Sequence, residues 1–280
     1  MNQLFPTLHG ALFALAAMAV PSHAETGGAT YESEQVTLQL MAEKPDADGR
    51  IRAALLIDLA PGWKTYWRDP GEAGIPPMLD LSASRNLGPA TIGFPAPHRF
   101  GDEYGMSNGY SAPMAVTFTL TETLPGETTE IRMKLMLGVC QKICVPVQAD
   151  LALTLPDGNE NGRVAEAFSA LPADNDRATG IAGARLSEDG KHLVLVTAGP
   201  LDPTSSDVFV AGPRGWSFGP PESRTAEAGG VAVSLPVFSR PRQLPPEPLE
   251  VDAVLTQGDK AVEARHLTVA SPSNGSTPAP

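Results

Sequence analysis

Short apolar runs with a period of two dominate the hydrophobic pattern of this chain, and long stretches with the 3.6-residue period of a helix are nearly absent. Residues 33–41 alternate apolar and polar side chains, and a second run at 51–59 follows a polar turn at 46–49. Alternation on both sides of a turn predicts a β-hairpin. Further strands are predicted at 114–121, 130–137 and 145–155, and we expect the first two of these to pair through a turn at 124–126.

A polar stretch with one short helix, predicted at 164–170, separates this block from a second one. In the second block, strands are predicted from residue 181 and at 192–196, 208–211, 231–238, 248–255 and 262–269. The fold class is therefore predicted as all-β, with two immunoglobulin-like β-sandwich domains. The predicted domains occupy 25–157 and 181–270, with a linker at 158–180 and a disordered tail at 271–280.

The amino terminus carries an apolar run at 11–20 that is too short to span a bilayer. Small residues stand at the positions that precede a cut after Ala24. This pattern predicts a cleaved secretory signal peptide at 1–24 and therefore an oxidising compartment. Because the rest of the sequence has no run of 18 apolar residues, we expect no direct insertion into a membrane.

The charge balance excludes some classes of partner. The chain has 32 acidic and 20 basic residues, a formal net charge of −12, which disfavours nucleic acids and anionic lipid surfaces. Hydrophobic residues make up 42% of the sequence, which argues against a disordered chain. The five histidines are scattered and show neither zinc-ligand spacing nor a hydrolytic pattern, so we expect no metal site and no cofactor.

The chain contains only two cysteines, Cys140 and Cys144. A disulfide across so short a loop constrains the unfolded chain little, which makes a purely stabilising role a weak explanation. Four extended residues cover roughly 13 Å, whereas bonded cysteines have Cα atoms about 4.4–6.8 Å apart. We therefore expect a tight, hairpin-like turn with one cysteine near the end of each strand. The pair is suited to redox exchange or to the capture of a soft metal, and a small structural disulfide is the third interpretation.

Two aromatic-rich segments accompany the cysteines. One is Gly62-Trp-Lys-Thr-Tyr-Trp-Arg-Asp-Pro-Gly71, and the other, at 94–105, ends in Phe-Gly-Asp-Glu-Tyr-Gly. Together with Cys-x3-Cys-Val-Pro at 140–146, these motifs resemble the N-terminal periplasmic domain of the DsbD/ScsB family of thiol–disulfide interchange proteins. The resemblance covers roughly residues 30–155. The ScsB branch is the more similar one, because it has a two-domain region of similar length and a Cys-x-x-Ile-Cys-x-Pro segment.

The resemblance implies a periplasmic sandwich domain with protein-disulfide reductase activity. Such a domain takes electrons from a membrane-embedded thiol carrier and passes them to thioredoxin-like periplasmic proteins. By motif match, Cys144 is the cysteine exposed to attack, and Cys140 is its partner and the resolving thiol. The other implied site residues form a cap loop over the pair and an aromatic lining: Asp102, Glu103 and Tyr104 in the cap, and Trp63 and Tyr66 in the lining.

Two departures from the family limit what the resemblance implies. Better-known members space their cysteines more widely, so the redox potential does not carry over. Full-length members continue into a membrane domain and a thioredoxin-like domain that this sequence lacks, so we expect the membrane partner to be a separate polypeptide.

The charge near the sulfurs is mixed, since Asp102 and Glu103 disfavour thiolates while Lys142 favours them.

Two other functions remain open at this point. Cu(I) prefers thiolate and thioether ligands, so a copper-binding or copper-tolerance protein using the same cysteines is the main alternative. Its candidate ligands are near the cysteines in sequence: Met106, Met114, Met133, Met136 and His98. Against it, Met133 and Met136 must point to opposite faces of one strand. The other alternative is a structural adaptor with an inert disulfide.

Overall fold

The computed structural model describes residues 29–102, 105–155, 162–227, 229–243 and 247–271. The signal peptide predicted at 1–24, the cap residues Glu103 and Tyr104, and all but the first residue of the predicted tail lie outside the described residues. Within the described part, no helix is long and apolar enough to cross a membrane.

The first half of the described chain forms two β-sheets. Its strands are β1 (Thr30–Glu32), β2 (Val36–Ala42), β3 (Arg50–Leu59), β4 (Lys64–Gly71), β5 (Met78–Asp80), β6 (Thr91–Gly93), β7 (His98–Asp102), β8 (Gly105–Tyr110), β9 (Met114–Thr121), β10 (Glu130–Cys140) and β11 (Cys144–Thr154). One sheet has the order β1-β2-β3-β9-β6, and the other has the order β11-β10-β4-β8-β7 with β5 also paired to β10.

Alternation along the strands places one apolar face of each sheet in a shared core. In β2, Leu38 and Leu40 are buried, and they belong to one cluster with Ile131 and Leu137 of β10 in the other sheet. Trp67 is fully buried in the same cluster. Two sheets that bury facing apolar sides form a β-sandwich, which confirms the predicted fold class for this half.

The predicted pairing of 114–121 with 130–137 is wrong. Strand β9 pairs with β3 and β6, whereas β10 pairs with β4, β5 and β11 in the opposite sheet. The chain between β9 and β10 therefore crosses from one sheet to the other. The turn signal at 124–126 ends a strand correctly, but it does not determine which sheet the next strand joins.

A short helix, α1 (Arg163–Ser169), covers the outer face of the first sheet. It begins after Gly162, whose positive φ of 80° suits glycine. The helix buries Val164 and Ala167 against apolar side chains that β2, β3 and β9 turn away from the sandwich core: Met41, Ala54, Leu56 and Ala115. This packing explains why both faces of these central strands are apolar.

The second half of the described chain forms one nine-stranded sheet that surrounds its own core. Its strands are β12 (Ala173–Asp174), β13 (Ile181–Leu186), β14 (His192–Thr197), β15 (Ser206–Ala211), β16 (Ser217–Phe218), β17 (Ser223–Glu227), β18 (Gly230–Ser239), β19 (Glu250–Gln257) and β20 (Lys260–Ala270). The order is β15-β19-β20-β13-β14-β18-β16, with β12 on β20 and β17 on β18. The strands predicted at 248–255 and 262–269 are confirmed, and they pair as the β19–β20 hairpin.

The two halves are joined by apolar and charged contacts. Phe209 and Val254 of the second half belong to the core cluster of the first sandwich, and the Phe209 ring lies 6.2 Å from the Trp67 ring. Arg99 forms an ion pair with Asp207 at 2.9 Å. The two halves therefore share buried side chains. The domain bounds at 157 and 181 stay a prediction.

Candidate redox site

The two cysteines form a disulfide at the end of the β10–β11 hairpin. Cys140 is the last residue of β10, Cys144 is the first residue of β11, and the two are paired in register. Their Cα atoms are 4.1 Å apart. The bend that the spacing requires is therefore supplied by a three-residue turn between antiparallel strands, as the sequence predicts.

The two sulfur-bearing residues differ in access. Cys140 is 2% exposed and lies against the sandwich, whereas Cys144 is exposed to solvent. The turn between them is exposed throughout, and Ile143 in that turn is 72% exposed. Cys144 is therefore the more accessible of the two cysteines.

Strand β4 supplies a polar group that lies close to both sulfurs. It pairs with the end of β10, where Lys64 stands opposite Cys140, and Thr65 donates a hydrogen bond to the Gly138 carbonyl. Tyr66 follows, and its buried hydroxyl donates a hydrogen bond to Cys140 Sγ at 2.9 Å. The same hydroxyl lies 3.6 Å from Cys144 Sγ. Tyr66 is thus in direct contact with the disulfide and closer to the buried sulfur.

Phe100 of β7 extends the aromatic contact beyond Tyr66. The rings of Phe100 and Tyr66 are 6.4 Å apart, and the Lys64 ammonium lies 4.6 Å from the Phe100 ring centroid. The sequence interpretation did not single out Phe100. The available signal was its place in the Phe-Gly-Asp-Glu-Tyr-Gly motif, two residues before Asp102.

The predicted cap loop is the tip of the β7–β8 hairpin. Asp102 is the last residue of β7 and pairs with Gly105 of β8. The side chain of Asp102 and the whole of Glu103 and Tyr104 lie outside the described residues. Their role as a cap therefore stays a prediction, although Phe100 ties the same hairpin to Tyr66.

The two tryptophans of the Gly62–Gly71 motif have different surroundings. Trp67 is fully buried in the core of the first sandwich. Trp63 is half-buried and packs at the edge of the same core. Trp67 is thus a core residue, and the role of Trp63 in lining the site stays a prediction.

A partly buried carboxyl, that of Asp69, lies within the same motif. Burial raises the pKa of Asp69 to about 6, although the Gly71 amide and the Arg68 guanidinium both act to lower that pKa. The Asp69 carboxylate accepts a hydrogen bond from the Gly71 amide, and the Asn108 side chain of β8 donates one to the Asp69 backbone carbonyl. Asp69 thus changes charge over a pH range where a surface carboxyl is already ionised.

The two β10 methionines that were considered as copper ligands do not share a face of the strand. Met133 is buried in the first core, and Met136, three residues along β10, is on the other face of the strand, as predicted. In the parts of the chain that the structure describes, no group of three or more His, Cys, Asp or Glu side chains is arranged to hold a metal ion.

Comparisons with known proteins found a matching family and a similar solved structure. The sequence model for the N-terminal domain of the thiol:disulfide interchange protein DsbD matches residues 32–156. Among solved structures, the N-terminal periplasmic domain of ScsB from Proteus mirabilis is similar to this chain, with a TM-score of 0.67 and 19% sequence identity. That match covers 86% of this chain and 95% of the ScsB chain, so the shared fold includes the second half. No curated protein sequence matches significantly.

Proposed function

We propose that this chain, whose residues 32–156 belong to the family of DsbD N-terminal domains, is a periplasmic thiol–disulfide interchange protein. In this role it shuttles reducing equivalents between a membrane-embedded thiol carrier and thioredoxin-like periplasmic proteins. The observation that carries the proposal is the asymmetry of the Cys140–Cys144 disulfide: Cys144 is an exposed residue, whereas Cys140 is buried and its Sγ accepts a hydrogen bond from the Tyr66 hydroxyl.

Reduction of the protein begins at Cys144. A thiolate of the donor attacks Cys144 Sγ, a mixed disulfide forms there, and the electron pair of the broken S–S bond moves to Cys140 Sγ. The Tyr66 hydroxyl, 2.9 Å away, donates a hydrogen bond to the sulfur on which this negative charge develops. The second thiolate of the donor then attacks the donor's own sulfur in the mixed disulfide. Cys144 leaves, both cysteines take up protons from solvent, and the donor is oxidised.

Oxidation of the protein uses the same two sulfurs. The Cys144 thiolate attacks the disulfide of a substrate protein, and one substrate sulfur leaves as a thiolate. Cys140 then attacks Cys144 Sγ in the mixed disulfide, which restores the internal bond and releases the reduced substrate. Cys140 is therefore the resolving thiol in this half-reaction only, because its attack in the first half-reaction would regenerate the starting disulfide.

The other functions that the sequence left open receive less support. The comparisons favour thiol exchange and do not favour copper binding. An inert structural disulfide leaves the exposure of Cys144 and the contact of Tyr66 with both sulfurs unexplained. The periplasmic location and the cleavage of residues 1–24 are part of the proposal. They are tested by fractionation and by sequencing the mature amino terminus, which we expect to begin at Glu25.

A pair of single-cysteine variants tests the exchange reaction. Cys140→Ser leaves the exposed thiol, and we expect it to form a stable mixed disulfide with an oxidised thioredoxin-like protein, detected by mass spectrometry. Cys144→Ser leaves the buried thiol, and we expect it to form little or none. Equal trapping by both variants, or trapping by neither, would contradict the proposed order of attack.

A further inference from the structure

Strand β4 connects the disulfide to the second half of the chain. Its first residues pair beside Cys140 and carry the Tyr66 hydroxyl. Its next residues, Trp67 and Arg68, contact the second half through the Phe209 ring and through an ion pair. One continuous strand therefore joins the sulfur site to the contact between the two halves of the chain.

Regular pairing of β4 stops directly after Tyr66. On the β8 side, Thr65 and Tyr66 have partners in register, and the next paired residue is Gly71, with a register shift in between. The segment 67–70 thus bulges out of its ladder with β8, where the regular pairing that holds a strand is interrupted. Side-chain contacts therefore help to fix this segment, which follows directly after Tyr66.

Arg68 provides one such contact, because two carboxylates of the second half hold its guanidinium. Glu263 of β20 forms an ion pair with Arg68, and Asp252 of β19 lies 3.2 Å from it. The Glu263 side chain is only 5% exposed, and Arg265 also donates to it at 2.8 Å. Among the described residues, the buried Nε of Arg68 has no hydrogen-bond partner. The two carboxylates therefore supply the compensation that a desolvated guanidinium needs.

We propose that Glu263 is a positioning residue for thiol–disulfide exchange. Through Arg68 and strand β4, it holds the Tyr66 hydroxyl within hydrogen-bond distance of Cys140 Sγ. The inference rests on the proposed function and assigns the second half of the chain a part in the chemistry. A displacement of about 1 Å is enough to lose a hydrogen bond that acts on a leaving group, so the anchor of the bulged segment controls the rate.

The test measures the rate at which dithiothreitol reduces the Cys140–Cys144 disulfide in the full chain, by acid quench and mass spectrometry. We expect Glu263→Gln to slow reduction by roughly threefold or more, and Glu263→Asp to restore most of the rate because it keeps the charge. Glu227→Gln, which removes a carboxylate paired with Arg185 within the second half of the chain, is the control and leaves the rate unchanged.

A double-mutant cycle separates positioning from a general loss of structure. If Glu263 acts through the Tyr66 hydroxyl, Glu263→Gln has no further effect on the rate in a Tyr66→Phe background. An unchanged rate in the parent background, or the same slowing in both backgrounds, would overturn the inference. Should Glu263→Gln fail to fold, Asp252→Asn, which removes the other carboxylate on Arg68, takes its place with the same expectations. Dithiothreitol needs no protein partner, so failure of the proposed exchange with thioredoxin-like proteins is detected separately.

Discussion

Replacing Tyr66 by Phe removes one hydroxyl and keeps the ring that packs against Phe100. The hydroxyl lies 2.9 Å from Cys140 Sγ and 3.6 Å from Cys144 Sγ, so its loss acts mainly on Cys140, the leaving sulfur. Hydrogen bonds to charged groups contribute about 1.5–3 kcal/mol. Because the charge on the leaving sulfur is only partly developed in the transition state, we expect a barrier increase of about 1–2 kcal/mol, which slows reduction roughly 5- to 30-fold.

The assay is reduction of the disulfide by dithiothreitol under pseudo-first-order conditions at a fixed pH. Tyr110→Phe is the matched control, because Tyr110 is also buried and its hydroxyl donates to the Pro95 carbonyl at 2.8 Å. We expect this control to lose stability by a similar amount and to keep the parent rate. A Tyr66→Phe variant that is reduced as fast as the parent would refute the assignment of the hydroxyl to the leaving sulfur.

Two further predictions concern stability. Because burial raises the pKa of Asp69 to about 6, the folded state favours its protonated form, and stability is lost as the pH rises from about 4 through 6. Asp69→Asn should therefore be more stable than the parent at pH 7, by at most about 3 kcal/mol, and this gain should disappear near pH 4. Urea unfolding across this pH range measures the gain. An equal gain at all pH values would contradict the prediction. Phe209→Ala should lower the free energy of unfolding by about 3–5 kcal/mol. It should also lower the unfolding midpoint of both halves, because Phe209 is buried in the core of the first sandwich. A midpoint change confined to the second half would contradict the shared core.

The period-two pattern was sufficient to predict most strands and local hairpins. Residues 33–41 and 51–59 contain most of β2 and most of β3, which pair in register from Val36 opposite Leu59. The sequence predicts such hairpins well because one turn and two alternating runs specify them completely. It fails for β9 and β10, because sheet membership depends on contacts with strands far away in sequence.

The redox site divides in the same way. The spacing of Cys140 and Cys144 predicted the hairpin, and the motif around Tyr66 predicted its place near the sulfurs. Glu263 was missed because it is separated from Arg68 by 195 positions, and a lone carboxylate in an alternating strand is typical of a solvent-facing position. Only the packing of the second half against β4 shows that this carboxylate is buried.

The most direct test of the central claim is the reduction potential of the Cys140–Cys144 pair. The full chain is equilibrated in glutathione buffers of graded potential, free thiols are trapped, and the fraction reduced is read by mass spectrometry. If the protein exchanges thiols and disulfides, we expect its disulfide and dithiol forms to interconvert reversibly above about −300 mV, in the range of catalytic dithiols. A pair that stays oxidised in all buffers down to that limit is a structural bridge, and this result would contradict the proposed function.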